Sequence, residues 1–166
     1  MILRVDTAQC LFHAGDDALP CMIGRAGACP AEVKREGDGC TPIGRWRLRG
    51  ALLRRDRIPP LALSLPWRWI NPADGWSDDP ADPGYNRPVN HPHGYSAERL
   101  WRDDGAYDVI IPLGYNDAPP QPGAGSAIFL HCTDSARPTE GCVAIAREAL
   151  IDLLPRLAAR DVIEIL

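Results

Sequence analysis

The sequence predicts a mainly β chain with a few helices, an α+β domain built on a sandwich or barrel core. Three observations carry that expectation. Short apolar segments recur between turn residues along most of the chain. Seventeen prolines and 15 glycines in 166 residues favour strands joined by shaped loops over a helical bundle. Only one late segment has helical periodicity. The length fits a single domain, residues 1–166, able to bury about two-thirds of the surface its unfolded chain exposes.

The elements follow in order. Met1 to Asp6 alternates apolar and polar residues as an edge strand does, and Cys21 to Arg25 after Pro20 is a second short strand. Lys34 to Thr41, KREGDGCT, gathers turn residues, with Gly37, Asp38 and Gly39 suited to the positive φ of a tight loop. In Arg45 to Arg49 strict alternation puts three arginines on one face and Trp46 with Leu48 on the other, a half-buried strand. From Pro59 to about Pro92 many prolines mix with Trp67, Trp69, Trp76 and Tyr85. So many aromatics argue against disorder, and the region of about 59–106 is expected to be an ordered capping or lid insertion. Strands follow at Tyr107 to Leu113 and Gly125 to His131; the unbroken run Ala127 to Leu130 marks the latter as central, with His131 at its end. A helix is expected over about 146–159, kinked or divided by Pro155, then a closing strand from Asp161 to Leu166.

Charge and cysteine content narrow the function. A net charge of -4 argues against non-specific nucleic-acid binding, which needs an accumulated positive face. The charge is uneven: residues 1–57 hold ten basic and seven acidic side chains, with Arg45, Arg47, Arg49, Arg54, Arg55 and Arg57 supplying most of the excess. A solvated strand face accounts for this better than an anionic polymer surface does. No run of ~18 apolar residues is long enough to span a bilayer. MILRVDTAQC lacks the basic and apolar regions of a secretory signal, so export is not visible in the sequence. The six cysteines include no C-x-x-C pair, which disfavours a zinc ribbon or thioredoxin site. Spacings of ten or eleven residues suit hairpin-bridging disulfides without fixing the pairing.

The segment SAIFLHCTDSARPTEGCVAI, Ser126 to Ile145, carries the chemistry. An imidazole within reach of a thiol can take its proton and hold the resulting charge. Eleven residues from His131 to Cys142 let a loop fold back so that the strand end and the Gly-Cys turn face one another. Gly141 permits a sharp turn, and the amides of Gly141 and Cys142 could form an oxyanion hole. A helix starting close beyond Cys142 would lower its pKa through the N-terminal dipole. Asp134 or a backbone carbonyl would orient the imidazole. Local chemistry alone leaves a buried structural cysteine and a satisfied histidine as the commoner outcome.

The string H-x(7)-T-E-G-C-V, His131 to Val143, resembles a shortened form of the L,D-transpeptidase (YkuD) signature, and Thr139, Glu140, Gly141 and Cys142 match its last block. KREGDGCTPIGRWRL, Lys34 to Leu48, resembles the family's G-D-x-x-T-P-x-G stretch. YNRPV from Tyr85 and GYND from Gly114 resemble a short subgroup with a capping segment. The resemblance implies a β-sandwich-like catalytic domain over about residues 20–166, with Cys142 as nucleophile, His131 as base and the Cys132 carbonyl orienting it. It departs from the family pattern in three places: the loop between His131 and Cys142 is short, Glu140 stands where many members have a second histidine, and Ala144 replaces an arginine.

The implied activity is peptidoglycan L,D-transpeptidation through a cysteine thioester, joining diaminopimelate to diaminopimelate or to L-alanine. An L,D-carboxypeptidase, a cysteine peptidase on wall peptides or a non-catalytic peptidoglycan-binding module are the alternatives. The partners are then peptidoglycan stem peptides, without nucleic acid or a membrane span, and the protein a monomer of the periplasm or cell envelope needing no cofactor. Arg137 would clamp a substrate carboxylate through its planar fork. Thr139, Tyr85, Asn86, Tyr115 and Asn116 are further substrate-binding candidates, although Asn there is also a turn residue. His91 and His93 form an H-x-H pair with no third ligand motif nearby, so no metal site is expected, and His13 is read as structural.

Overall fold

The computed structural model describes residues 1–133 and 137–166. Fourteen strands and one short helix appear among them. They are β1 (Ile2–Asp6), β2 (Leu11–Ala14), β3 (Asp17–Met22), β4 (Ala28–Pro30), β5 (Thr41–Arg47), β6 (Ala51–Leu53), β7 (Trp67–Trp69), β8 (Asp74–Ser77), β9 (Pro88–Asn90), β10 (Ala97–Arg99), β11 (Val109–Pro112), β12 (Phe129–Thr133), β13 (Val143–Ala146), α1 (Arg147–Leu153) and β14 (Val162–Ile165). Eleven strands form one sheet in the order β4-β5-β14-β1-β2-β3-β13-β12-β11-β6-β7. The other three form a small sheet, β10-β8-β9. The mainly β expectation therefore holds.

The large sheet doubles over its own core. The end of β5 meets the end of β11, which lies seven strands away along the sheet order: Leu48 bridges Leu113, Arg49 N–H donates to the Pro112 carbonyl and Gly114 N–H to the Arg47 carbonyl. The enclosed core takes Leu3 and Val5 from β1, Phe12 from β2, Ile163 and Ile165 from β14, and Leu150, Leu153, Leu154 and Leu157 from α1 and the turn after it. Strand alternation decides the rest. Val109, Ile111, Leu130, Cys132, Val143 and Ile145 point into this core, while Ile110, Phe129 and Cys142 point the other way, into a second cluster with Ile70, Leu100 and Tyr107. β12 is thus apolar on both faces, as its unbroken apolar run predicts.

Several elements differ from the sequence expectation. β1 is not an edge strand; it lies between β14, parallel, and β2, antiparallel. Alternation reports that one face is wet, and says nothing about the hydrogen-bonding edges. β3 begins before Pro20 and includes it, opposite Leu11. The helical segment starts at Arg147, and a 3₁₀ turn at Leu154–Arg156 takes over where Pro155 cannot donate. β7, inside the 59–106 segment, pairs in parallel with β6 and so belongs to the large sheet.

The arginines are largely neutralised. Arg45 pairs with Glu164, Arg49 with Asp117, Arg54 with Asp56 and Arg57 with Asp108. Arg54 also lies 3.8 Å over the Trp101 ring. One disulfide, Cys29–Cys40, ties β4 to the residue that precedes β5. Cys10, Cys21, Cys132 and Cys142 are free thiols. No helix of the described residues is long and apolar enough to cross a membrane.

Candidate active site

β12 and β13 run parallel, with Leu130 beside Val143 and His131 beside Ala144. Continued by one residue, that register sets Cys142 beside Phe129, so Cys142 and His131 share a face as diagonal neighbours. Both line one cleft of about 960 Å³ between this face and the three-stranded sheet. His131 stands in the middle of β12, where a strand end was expected, because the strand continues to Thr133.

The turn before Cys142 shows why two distant sequence blocks occur together. Gly141 has φ +138°, and a Cβ on it would sit 2.9 Å from the Cys40 carbonyl oxygen. Only glycine fits both conditions. Thr41 Oγ1 reaches the Cys142 carbonyl at 3.5 Å and accepts the Gly24 N–H at 2.8 Å. Thr139 Oγ1 donates to the same Cys142 carbonyl at 2.7 Å and accepts the Gly141 N–H at 3.1 Å. The GDGCTP block is the bed on which the T-E-G-C turn lies.

The thiol is held by backbone. Cys142 Sγ donates to the Ala127 carbonyl at 3.2 Å and accepts the Phe129 N–H at 3.4 Å. Burial pushes its pKa up to about 12, and the Glu98 charge pushes the same way, against the Phe129 amide and the Lys34 ammonium. The helix dipole gives no help, since β13 separates Cys142 from α1. The expectation of a helix close beyond the cysteine is corrected accordingly. Val143 to Ile145 is buried on both sides, so this apolar run continues the sheet.

His131 is 8% exposed, and burial brings its pKa down to about 4. Its Nδ1 lies 2.8 Å from the Cys132 carbonyl oxygen. A carbonyl only accepts, so Nδ1 carries the proton and Nε2 the basic lone pair. The Cys132 thiol itself points into the main core, 1% exposed, where burial raises its pKa to about 12. The Tyr107 ring packs edge-on against His131, centroids 5.2 Å apart.

The remaining candidates divide in two. Arg137 and Thr139 line the cleft. Tyr85, Asn86, Tyr115 and Asn116 do not; they form a brace behind it. The Tyr85 hydroxyl donates to the Glu36 carboxylate and accepts the Gly125 N–H. Asn86 Oδ1 accepts from Trp76 Nε1 and from the Ala127 amide, and its Nδ2 donates to the Tyr115 and Asn116 carbonyls. The Tyr115 hydroxyl donates to the Ala124 carbonyl, and Asn116 Nδ2 to those of Gln121 and Gly125. Asp134 lies outside the described residues.

Sequence reasoning missed Glu36, Asp78, Glu98, Arg102 and Tyr107, all of which line the cleft. They come from four separate stretches, and no spacing connects them. The Tyr107 hydroxyl donates to Glu98, and Arg102 lies 4.9 Å over the Tyr107 ring. His93 is bound to Asp82 at 2.7 Å, and no group of three or more His, Cys, Asp or Glu suited to a metal occurs among the described residues.

A search of curated proteins finds no match to the sequence. Among solved structures, Mycobacterium tuberculosis L,D-transpeptidase 1 is 14% identical with a TM-score of 0.44, covering 99% of this chain and 58% of that one. L,D-transpeptidase 3 of the same organism is 15% identical with a TM-score of 0.48, over 99% and 60%. Bd1075 of Bdellovibrio bacteriovorus is 17% identical with a TM-score of 0.48, over 99% and 47%. The chain therefore spans roughly half to three-fifths of the length of these structures. The family model for the L,D-transpeptidase catalytic domain (YkuD) matches residues 2–165. With nearly the whole sequence matched, the chain belongs to the L,D-transpeptidase catalytic-domain family.

Proposed function

We propose that the protein is a peptidoglycan L,D-transpeptidase acting through a Cys142 thioester. The observation that carries this reading is the pairing of Cys142 with His131 on one face of neighbouring strands, at one cleft, inside a chain matched to the family from end to end. Arg137 at the cleft edge suits a stem-peptide carboxylate, which its planar fork binds in bidentate fashion. The site of action is the cell envelope, where peptidoglycan lies.

With the thiol near 12 and the imidazole near 4, the resting pair is neutral on both sides. The proton therefore moves as the sulfur attacks. Cys142 Sγ bonds to the carbonyl carbon of an L-centre to D-centre peptide bond while His131 Nε2 takes the thiol proton. The amides of Gly141 and Cys142 meet the developing oxyanion; the Gly141 amide exchanges its Thr139 partner to do so. The carbon–nitrogen bond then breaks, His131 returns its proton to the leaving D-alanine amine, and a thioester remains. An amine of diaminopimelate or L-alanine on a neighbouring stem displaces the sulfur, closing the crosslink. Water in its place gives carboxypeptidase turnover.

Cys142→Ala is expected to keep the fold and lose acyl-enzyme formation entirely. Intact-protein mass after incubation with a tetrapeptide stem reads the adduct, and product analysis with an added acceptor stem reads the crosslink. Crosslinking retained by Cys142→Ala would end this assignment.

A further inference from the structure

The side of the cleft formed by the three-stranded sheet is rich in carboxylates. Glu98 comes from β10, Asp78 follows β8, and Glu36 comes from the loop before β5. Clustered acids are usually no more than a solvated surface. Two buried acceptors set this wall apart. Ser126 is 7% exposed and lines the cleft; its hydroxyl proton is directed at the neighbouring Tyr85 oxygen, and its Oγ accepts from no donor among the described residues. Asp78 Oδ1 is also shielded from solvent without a partner among the described residues.

What these atoms lack is a donor. A primary ammonium carries three donors and a compact positive charge. Charge favours the same group. Glu98 is held above the ordinary carboxylate range, first by burial and also by the Asp78 and Glu36 charges; the Tyr107 hydroxyl and Arg102 pull it back. Arg102, a cation on this wall, is paired with Asp104, lies against the Tyr107 ring and reaches Glu98 Oε1 at 3.9 Å, so that Asp104 shares its charge. The Glu98 charge also reaches Cys142 across the cleft.

We propose that this wall, Glu98 with Asp78 and Ser126, is the subsite for the primary ammonium of the acyl acceptor, and that Glu98 takes its proton. The proposal rests on the transpeptidase reading. Once the thioester occupies Cys142, the acceptor ammonium gives one proton to the Glu98 carboxylate and its freed lone pair attacks the thioester carbon. The carbon–nitrogen bond forms, the carbon–sulfur bond breaks, and the second nitrogen proton passes through His131 to the departing sulfur, restoring the thiol. Glu98 returns its proton to solvent. Water needs no ammonium subsite, so the wall favours aminolysis over hydrolysis.

The test measures how the acyl-enzyme divides between acceptors, using a tetrapeptide stem as donor and a diaminopimelate-containing stem as acceptor. Glu98→Gln keeps an oxygen to accept from Tyr107. The readout is the ratio of aminolysis to hydrolysis within one acyl-enzyme, from which any change in acylation caused by removing the Glu98 charge near Cys142 cancels. That ratio at limiting acceptor is expected to fall by about tenfold or more, as the loss of a charge-assisted contact predicts, with the acceptor KM raised. Asp78→Asn should fall in the same direction by less. Unchanged partition in both variants overturns the proposal. Slowed acylation with unchanged partition also overturns it, because the ammonium would then be the donor's. If the unsubstituted protein forms no acyl-enzyme, the transpeptidase reading fails first and the subsite with it; acylation without an effect of Glu98→Gln fails the subsite alone.

Discussion

The two walls of the cleft are built by different means. On the Cys142 side, backbone does the positioning: the β12–β13 register, the Ala127 carbonyl and the Phe129 amide fix the sulfur, and the Cys132 carbonyl fixes His131. On the opposite side, side chains do it: Tyr107 to Glu98, Ser77 and His93 to Asp82, Trp76 to Asn86. Backbone positioning follows from sheet register and apolar burial, so it tolerates change in most side chains. Side-chain positioning is lost with any one partner. Substitution of Cys142 or His131 on the first wall should therefore act on chemistry, and substitution of the side chains that brace the second wall, Glu98 with its proposed part in aminolysis apart, on stability and on how the walls meet.

The largest effect is expected at His131. His131→Ala should slow acylation by about 10²- to 10⁴-fold, the usual contribution of a positioned base, with little change in secondary structure. Acyl-enzyme formation followed by intact mass measures it. A loss of less than threefold would mean that the thiol finds another base, and that His131 and Cys142 do not act as a pair.

At Asn86 the effect should be on stability. The side chain closes four hydrogen bonds, to Trp76 and Ala127 through Oδ1 and to the Tyr115 and Asn116 carbonyls through Nδ2, at φ +55°. Asn86→Ala leaves those partners buried without a mate, at a cost of about 3 kcal/mol. Ala127, whose carbonyl holds the thiol, sits at φ +53° and depends on one of these bonds. Thermal unfolding should show the drop, and acylation should fall with it. Unaltered stability would mean that Asn86 answers to a ligand instead of to the fold.

The sequence makes the first wall more legible than the second. Gly141 and Cys142 are adjacent, His131 ends an apolar run, and the bed under them is a separate recognisable block. Tyr85, Asn86, Tyr115 and Asn116 are polar residues in loops, and a polar loop residue reads the same whether it faces a substrate or a neighbouring loop. Only the fold distinguishes the two. Glu98, Asp78 and Glu36 are invisible for the opposite reason: each is an ordinary acid in its own stretch, and their meeting depends on the three-stranded sheet closing over β12. The run Val143 to Ile145 continued the ambiguity, since a short apolar segment fits a strand as well as a helix start.

Acid should separate the walls further. Folded His131 is depressed to about 4, whereas an unfolded histidine titrates at about 6.5, so the unfolded chain binds more protons between those values. Stability contributed by burying the neutral ring is present above about pH 6.5 and falls as pH drops toward 4. Asp82, held down to about 2 by Ser77, His93 and the Gly84 amide, keeps its contribution above the unfolded value of about 3.9 and loses it as pH falls toward 2. The acid limb of kcat/KM should accordingly lie nearer 4 than 6.5, with the second wall failing only below it. A limb at 6.5 would show that His131 is solvated in the working enzyme.

The smallest effect is expected from the disulfide. Cys29–Cys40 closes a loop of sequence separation 11, and opening it should cost about 2–3 kcal/mol by freeing the unfolded chain. The Cys40 carbonyl packs over Gly141, and the neighbouring Thr41 hydroxyl reaches the Cys142 carbonyl, but both contacts are made by a strand start that the β4 ladder, the Thr41 N–H to the Gly27 carbonyl and the Gly24 N–H to the Thr41 hydroxyl also hold. A Cys29→Ser, Cys40→Ser variant should therefore unfold at lower temperature while forming the Cys142 acyl-enzyme at an unchanged rate. Such a result separates stability from chemistry on the very wall where backbone positions Cys142. If acylation instead declines in step with melting temperature, the turn that presents Cys142 is held by the crosslink, and the register of β12 and β13 is not enough to set the Cys142 wall alone.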